Sequence, residues 1–263
     1  MLSIFREGEY IMRKFTALIA LLLALAISHG ASAETITVFA AASMQNAMEQ
    51  IAPLYKKSSG NDITFSFDSS GTLKTQIEEG AECDLFISAA QKQINALEKS
   101  GLIGPSSRVN LLENKIALAV PEGNPAGISS YEDIGTEKVK LIALGNSDVP
   151  VGAYSQEILT NMGIWDKLNA EGKISFAGNV TEAAMQIREG AVDCGIIYAT
   201  DAATYGLKVI AEPPAGTLKT PVIYPAAVIS GSKHKNTAKD FLSYLQGEEA
   251  RRIFAAIGFT PAK

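Results

Sequence analysis

Short apolar segments with strand character alternate with amphipathic helical segments along most of this 263-residue chain. Residues 35–41 form the first apolar segment, and apolar side chains at helical spacing follow it up to Tyr55. The same pattern resumes at 62–67 and again from 139–144 onward. Repeated β–α units with short connections predict an α/β protein whose mostly parallel sheets carry helices on both faces. Two successive sets of units without a flexible linker predict two lobes joined by extended strands.

Four polar turns follow apolar strands and open helices, at Ser43, at Ser70, at 149–152 and at 179–181. Ser43 stands where an N-cap residue belongs, beside backbone N–H groups that the first helical turn leaves unpaired. Such helix starts attract anions, because the N–H groups and the helix dipole both present positive charge. Ligands of open parallel sheets bind beyond the carboxyl ends of the strands. If the two halves close on each other, the four turns converge on a site for a small dianion.

The donors of this predicted site are uncharged, because no Lys or Arg lies within the four turns. Tyr198, at the carboxyl end of its apolar strand, adds a phenolic hydroxyl. Taken singly, each serine fits an ordinary helix cap and Tyr198 fits half-buried packing. Asp68, next to the Ser69-Ser70 pair, argues against an anion there unless its side chain turns away. Only the convergence of all four turns favours a binding site.

The first 33 residues have the pattern of a cleavable secretory signal peptide. Arg13 and Lys14 precede an apolar run at 15–27, and the small residues 31–33 form a cleavage site. The apolar run is short for a membrane span. The pattern predicts a periplasmic protein whose mature chain begins at Glu34. Without residues 1–33 the formal net charge of −5 becomes about −6, which gives no general attraction for nucleic acid.

Cysteine and histidine are too sparse to indicate a metal centre or common hydrolase chemistry. Cys83 and Cys194 each open a buried strand, and strands of different lobes start too far apart for a disulfide, so we expect two buried free thiols. The predicted mature chain holds one histidine, His234, in a polar segment. No HExxH, GxSxG or Walker motif is present.

Several segments resemble the molybdate-binding periplasmic proteins of ABC transporters. The resemblance covers nearly all of residues 34–263, in order and with similar spacing. Its principal segments are TITVFAAAS at 35–43, SSGTL at 69–73, DLFISA at 84–89, GIIY at 195–198 and YPAAV at 224–228. Membership of this family implies a type II periplasmic binding fold of two α/β lobes. The first lobe would comprise 34–116 and 227–263 and the second 117–226, with strand crossings near 115–120 and 222–226.

The resemblance also implies the ligand and the residues that hold it. The oxyanion, molybdate or tungstate, would accept hydrogen bonds from the hydroxyls of Ser43, Ser70 and Tyr198 and from the backbone N–H groups of Val151 and Val180. Molybdenum would be held through its oxo groups, with no protein atom ligating the metal and no cofactor. Val151 replaces a usual alanine, which a backbone contact tolerates. Asp68 and Gly71 stand where small hydroxyl residues are common.

The implied function is transport without covalent chemistry. A monomeric binding protein would capture the anion and deliver it to an ABC permease of the inner membrane. The nearest alternative is the same fold binding another tetrahedral oxyanion such as sulfate. A secreted enzyme using a Ser–Tyr pair is disfavoured because it lacks a general base. The ligand-sensing domain of a transcription regulator is disfavoured by the signal peptide and by the lack of a DNA-binding segment.

Overall fold

The computed structural model describes residues 33–262, which form two β-sheets surrounded by helices. Residues 1–32 of the predicted signal peptide lie outside the described residues. None of the helices within 33–262 is both long and apolar enough to cross a bilayer. The two sheets are the cores of two lobes, as the alternating pattern predicts.

The first lobe is built on a six-stranded sheet. Its strands are β1 (Thr35–Ala41), β2 (Asp62–Asp68), β3 (Leu85–Ile87), β4 (Ile103–Glu113), β10 (Ile223–Ile229) and β11 (Thr260–Pro261). Their spatial order is β11-β4-β10-β3-β1-β2. The helices around it are α1 (Gln45–Ser59), α2 (Ser70–Glu78), α3 (Gln91–Lys99), α8 (Lys235–Leu245) and α9 (Glu248–Ile257). β1 pairs in parallel with β2 and β3, whereas β10 pairs antiparallel with β3 and β4.

Strand alternation buries both faces of this sheet. Val38 and Ala40 of β1 point into the large core that includes α1 residues such as Met48. Phe39, between them, points to the opposite face and packs in a second core with Leu73 of α2. Successive strand side chains alternate between faces, so one apolar strand supports helices on both sides.

The second lobe is built on a five-stranded sheet. Its strands are β5 (Ile116–Val120), β6 (Ile142–Gly145), β7 (Ile174–Ala177), β8 (Cys194–Tyr198) and β9 (Lys208–Ala211). Their order is β7-β6-β8-β5-β9, with β6 parallel to β7 and β8 and with β5 antiparallel to β8 and β9. Its helices are α4 (Pro150–Asn161), α5 (Trp165–Ala170), α6 (Val180–Arg188) and α7 (Ala199–Thr204).

The chain passes between the sheets twice, from β4 to β5 and from β9 to β10. By sheet membership, Ile116 belongs to the second lobe and residues 223–226 belong to the first. The predicted lobe boundaries at 116 and 226 refer to units that would move relative to each other, and they stay a prediction. The prediction of mostly parallel sheets is correct only for strands β1 to β3 and β6 to β8: four of the nine pairings among the described residues are parallel and five are antiparallel. The antiparallel pairs involve β4, β5, β9, β10 and β11, of which β4, β5, β9 and β10 flank the crossings between the sheets.

Sequence patterns missed the long strand β4 and the short helix α5. β4 contains Pro105, Ser106 and Ser107, which are typical of a turn, and it lacks a clean two-residue apolar period. Long-range pairing with β10 and β11 nevertheless holds it extended. Tertiary pairing here overrides local propensity.

The prediction of two free thiols is confirmed. Cys83 and Cys194 are both buried and unbridged. Burial raises the pKa of the Cys83 thiol to about 12, so this thiol remains protonated at neutral pH.

Candidate functional site

A small pocket lies between the lobes, at the carboxyl ends of the strands. All four predicted turns contribute to its wall. The first lobe supplies residues 41–43 after β1 and 68–70 after β2, and the second lobe supplies Val149 and Pro150 after β6 and Val180 after β7. Ala89 and Tyr198 complete the lining. Of the predicted site residues, Ser43, Ser70, Val180 and Tyr198 therefore face one common space.

Val151 is the predicted site residue that does not line this cavity. It is the second residue of α4, and its side chain is buried in the core of the second lobe. Pro150 precedes it at the first helical position and forms the cavity wall in its place. The N–H of Val151 belongs to the first turn of α4, where helix geometry provides no intrahelical acceptor.

Ser43 is not the helix cap that its position suggested. Residues Ala42–Met44 form a 3₁₀ turn before α1, and no side chain caps either element. The Ser43 Oγ atom instead lies 2.9 Å from the Oη atom of Tyr224. A long-range tertiary contact thus takes the place of the local cap.

Ser70 is held by a backbone donor from the loop that follows β3. The N–H of Ala89 donates to Ser70 Oγ at 2.9 Å, and Ser70 is fully buried. Capping of α2 is done by Ser69, whose Oγ accepts from the N–H of Thr72 at 3.1 Å. Because Ser70 accepts from Ala89 and does not cap the helix, its own proton is available to a ligand.

Val180 occupies the first position of α6, where its N–H has no intrahelical acceptor. The side chain of Asn179 caps this helix by accepting from the N–H of Glu182 at 2.9 Å. That cap satisfies the third N–H of the helix and does not involve the N–H of Val180. A bound anion at the cavity wall would supply the missing acceptor.

Tyr198 carries a buried hydroxyl without a hydrogen-bond partner in the described part of the chain. It ends β8, and its ring meets that of Tyr224 edge to face at a centroid distance of 5.6 Å. Burial, together with the nearby Tyr224, raises the pKa of Tyr198 well above its ordinary value. The hydroxyl therefore stays protonated and can act as a donor. An unpaired buried hydroxyl costs about 1–3 kcal/mol, which a ligand at this position would recover.

Asp68 lies in the cavity wall at the end of β2. Its Oδ1 atom accepts from the N–H of Ser69 at 2.6 Å, so the carboxylate folds back on its own backbone. This contact satisfies one carboxylate oxygen locally. The side chain nevertheless remains beside the cavity, where it opposes the binding of a dianion through charge repulsion.

The lobes touch each other around the cavity. The N–H of Gly71 in α2 donates to the carbonyl of Asp148 at 3.1 Å. Asn46 Nδ2 in α1 donates to Thr204 Oγ1 in α7 at 3.2 Å. These contacts join residues of opposite lobes directly, so the described arrangement is a closed one.

Sequence reasoning missed two residues behind the site, Asn114 and Tyr224. Asn114 lies in the short connection between β4 and β5, and Tyr224 lies in β10. Asn114 Nδ2 donates to Tyr224 Oη at 3.1 Å and to Thr200 Oγ1 at 2.9 Å. Tyr224 lies in an apolar strand, where the sequence predicts a core residue, and no local pattern distinguishes Asn114 from other polar residues. Only the fold brings them to Ser43.

Asp201, in α7, is a buried carboxyl near these tyrosines. Burial raises its pKa to about 7, against the weaker opposing effect of a hydrogen bond from Thr200. The folded state thus binds this proton more tightly than the unfolded state does. The resulting stabilisation is complete below about pH 4 and is lost as the pH rises towards 7.

Replacing Asp201 by asparagine is expected to remove this pH-dependent loss. Urea unfolding should show a stability gain for Asp201→Asn that is larger at pH 8 than at pH 5 by about 2.7 kcal/mol, since two of these pH units lie below a folded pKa of about 7 and each corresponds to about 1.4 kcal/mol. Asp133→Asn is the matched control. Lys138 and Ser129 hold the pKa of Asp133 below its usual range, so that substitution should change stability equally at both pH values. An equal effect of Asp201→Asn at the two pH values would contradict the assignment.

Among residues 33–262, no group of three or more His, Cys, Asp or Glu side chains is arranged to hold a metal ion. The described cavity wall contains no Lys, Arg or His. Apart from the Asp68 carboxylate, the polar groups of the wall are neutral donors from both lobes. Such a set suits a small ligand that only accepts hydrogen bonds.

Two α/β lobes, two strand crossings and a small pocket between the lobes define a type II periplasmic binding fold. The family model for bacterial extracellular solute-binding proteins matches residues 36–260. The chain therefore belongs to the bacterial extracellular solute-binding protein family.

Named relatives support this assignment over most of the chain. The molybdate-binding protein ModA of Escherichia coli is 40% identical over 233 residues, covering 86% of this chain and 88% of that protein. ModA of Haemophilus influenzae is 36% identical over 258 residues, covering 95% and 99% respectively. The solved periplasmic molybdate-binding protein of Azotobacter vinelandii is 27% identical with a TM-score of 0.78, covering 87% of this chain and all of that one.

Proposed function

We propose that this protein captures molybdate, and tungstate with it, outside the cytoplasm and delivers the anion to an ABC permease. The observation that carries the proposal is the buried Tyr198 hydroxyl, which has no partner among the described residues and faces a cavity lined by further neutral donors. The relatives named as molybdate-binding proteins identify the class of ligand. The proposed contacts are the hydroxyls of Ser43, Ser70 and Tyr198 and the N–H groups of Val151 and Val180.

Molybdate fits such a site because its oxygens accept hydrogen bonds and carry no proton to donate. Uncharged donors suffice, since oriented dipoles in a dry and closed cavity act more strongly than in water. No protein atom ligates molybdenum in this proposal, and no cofactor takes part. The proposed role is binding without catalysis, in keeping with the solute-binding family.

Discrimination against sulfate would follow from size. A smaller tetrahedral anion cannot reach all donors that are spaced for a larger one. Each buried donor left unmet costs about 1–3 kcal/mol, so two or three such donors give strong selectivity. Tungstate is nearly the size of molybdate and should bind as well.

Transport requires the lobes to open and close about the two strand crossings. Donors from both lobes reach the anion only in the closed form, so the ligand shifts the population towards closure. The closed form would then dock on a membrane permease as a monomer. Residues 1–33 would direct the protein to the periplasm and be removed.

The two serine substitutions test the function directly. Ser43→Ala and Ser70→Ala should each weaken molybdate binding by about 1.5–3 kcal/mol, the contribution of a hydrogen bond to a charged partner. Isothermal titration calorimetry with molybdate, tungstate and sulfate provides the measurement. Ser107→Ala is the control, because Ser107 bonds to backbone carbonyls of Gly104 and Val228 and lies outside the cavity lining.

Three outcomes of this titration are informative. Tight molybdate binding that both serine variants weaken, with Ser107→Ala unchanged, supports the proposal. Tighter binding of sulfate than of molybdate would keep the site and replace the ligand. Unchanged molybdate affinity in both serine variants would refute the site assignment.

A further inference from the structure

We propose that Asn114 and Tyr224 are positioning residues that fix the direction of the Ser43 hydroxyl proton, so that Ser43 meets a bound oxyanion only as a donor. The inference rests on the proposed function and assigns a role to residues behind the cavity wall. Its basis is a chain of hydrogen bonds in which each donor determines the direction of the next.

The orientation of the Asn114 amide starts the chain. Its Oδ1 atom accepts from the N–H of Lys115 at 2.8 Å, and a backbone N–H can only donate. The opposite end of the amide is therefore the NH₂ group. Its two protons go to Thr200 Oγ1 at 2.9 Å and to Tyr224 Oη at 3.1 Å.

Tyr224 is the second residue in this chain of hydrogen bonds. Its oxygen accepts from Asn114, so its own proton is free for the second neighbour, Ser43 Oγ at 2.9 Å. Tyr224 is fully buried, and burial raises its pKa well above the ordinary value, so the proton stays in place. Of the two groups hydrogen-bonded to Tyr224 Oη, the Asn114 NH₂ group cannot accept a proton and Ser43 Oγ can, so we assign Tyr224 as the donor to Ser43.

Ser43 then accepts from Tyr224 and keeps its own proton for the cavity that it lines. The reverse direction carries two costs. The Tyr224 proton would lose Ser43 as its acceptor, and Ser43 would turn a lone pair towards an anion. An unpaired buried donor and a lone pair facing negative charge are both unfavourable.

The chain of bonds also connects the two lobes. Asn114 lies at the first crossing between the sheets, Tyr224 lies in the strand that follows the second, and Thr200 lies in α7 of the second lobe. The two lobes must be correctly placed for Asn114 to reach both Thr200 and Tyr224. Ser43 is therefore oriented by the same region about which the lobes would close.

A double-mutant cycle tests this inference, with molybdate titrated calorimetrically into the mature protein. Tyr224→Phe keeps the ring and removes the proton that Ser43 accepts. We expect it to weaken binding about fivefold to tenfold in the wild-type background, the scale of one hydrogen bond. In the Ser43→Ala background it should change affinity less than about twofold, because the hydroxyl that it orients is gone.

Ser70→Ala provides the matched background, since Ala89 orients Ser70 independently of Tyr224. In the Ser70→Ala background, Tyr224→Phe should still weaken molybdate binding about fivefold to tenfold. Asn114→Ala is a second variant and should show the same dependence on Ser43 with a smaller loss. Melting temperatures of the unliganded variants establish that each is folded.

A full loss from Tyr224→Phe in the Ser43→Ala background would overturn the positioning role while leaving the proposed function intact. Equal affinity of Tyr224→Phe and wild type would overturn it as well. Failure of the wild-type protein to bind molybdate, tungstate or sulfate would instead remove the proposed function, and this inference with it.

Discussion

Val180→Pro is expected to weaken molybdate binding about 100-fold or more while α6 stays folded. Val180 is the first residue of α6, and proline fits that position because its fixed φ suits a helix start and its missing N–H has no intrahelical acceptor there. Asn179 is already extended, with φ −153° and ψ 174°, as a residue before proline prefers. The substitution removes the proposed donor, worth about 1.5–3 kcal/mol, and places a ring carbon at the cavity wall.

Val180→Ala is the control for this experiment. It keeps the N–H and trims the buried side chain, so it should cost some stability and little affinity. Circular dichroism and thermal melts report the fold, and titration calorimetry reports the affinity. If proline and alanine at this position bound molybdate equally well, the backbone donor would be absent from the site. Val151 offers no such test, because a proline there would follow Pro150, whose helical conformation a following proline disfavours.

Gly71→Ala is expected to hinder closure of the lobes without harming the lobe that contains it. Gly71 is the second residue of α2, and a Cβ atom there would lie 2.2 Å from the carbonyl oxygen and 2.9 Å from the carbonyl carbon of Asp148. Those atoms belong to the opposite lobe, so the clash exists only in the closed form. Overpacking of this kind costs about 1–3 kcal/mol, equivalent to roughly a fivefold to 150-fold loss of affinity.

Within α2 itself, alanine is a better helix former than glycine. The melting temperature of the unliganded Gly71→Ala variant should therefore stay level or rise while its affinity falls. Small-angle scattering should show less ligand-induced compaction than in the wild type. Gly104→Ala is the control, because a Cβ there meets nothing within 4 Å. Wild-type affinity and compaction in Gly71→Ala would contradict the expected block.

Local patterns were most informative where one strand and one helix decide the outcome. The apolar period of 35–41 and the helical spacing after it predicted β1 and α1, and Asn179 caps α6 as its position before the helix indicated. β4 escaped detection because its residues resemble a turn. Its pairing with β10, more than a hundred residues later, is a contact that no local window contains.

The same distinction between local pattern and tertiary contact applies to the candidate site. Its turns could be found in the sequence because each follows an apolar strand and opens a helix. The role of each hydroxyl could not, as Ser43 and Ser69 show. Ser43, which looked like a cap, bonds to Tyr224, and Ser69 caps α2 so that Ser70 is free to face the cavity.

Local sequence patterns were enough to predict the alternating α/β plan, the four polar turns, the unpaired thiols and the resemblance to a family of oxyanion-binding proteins. Each of these depends on neighbours in the chain or on a motif within it. Only the fold shows that the side chain of Val151 is buried in the core, that Gly71 contacts Asp148, and that Asn114 and Tyr224 lie behind Ser43. The physical reason is that a hydroxyl's direction and a backbone's closest approach are determined by atoms far away in sequence.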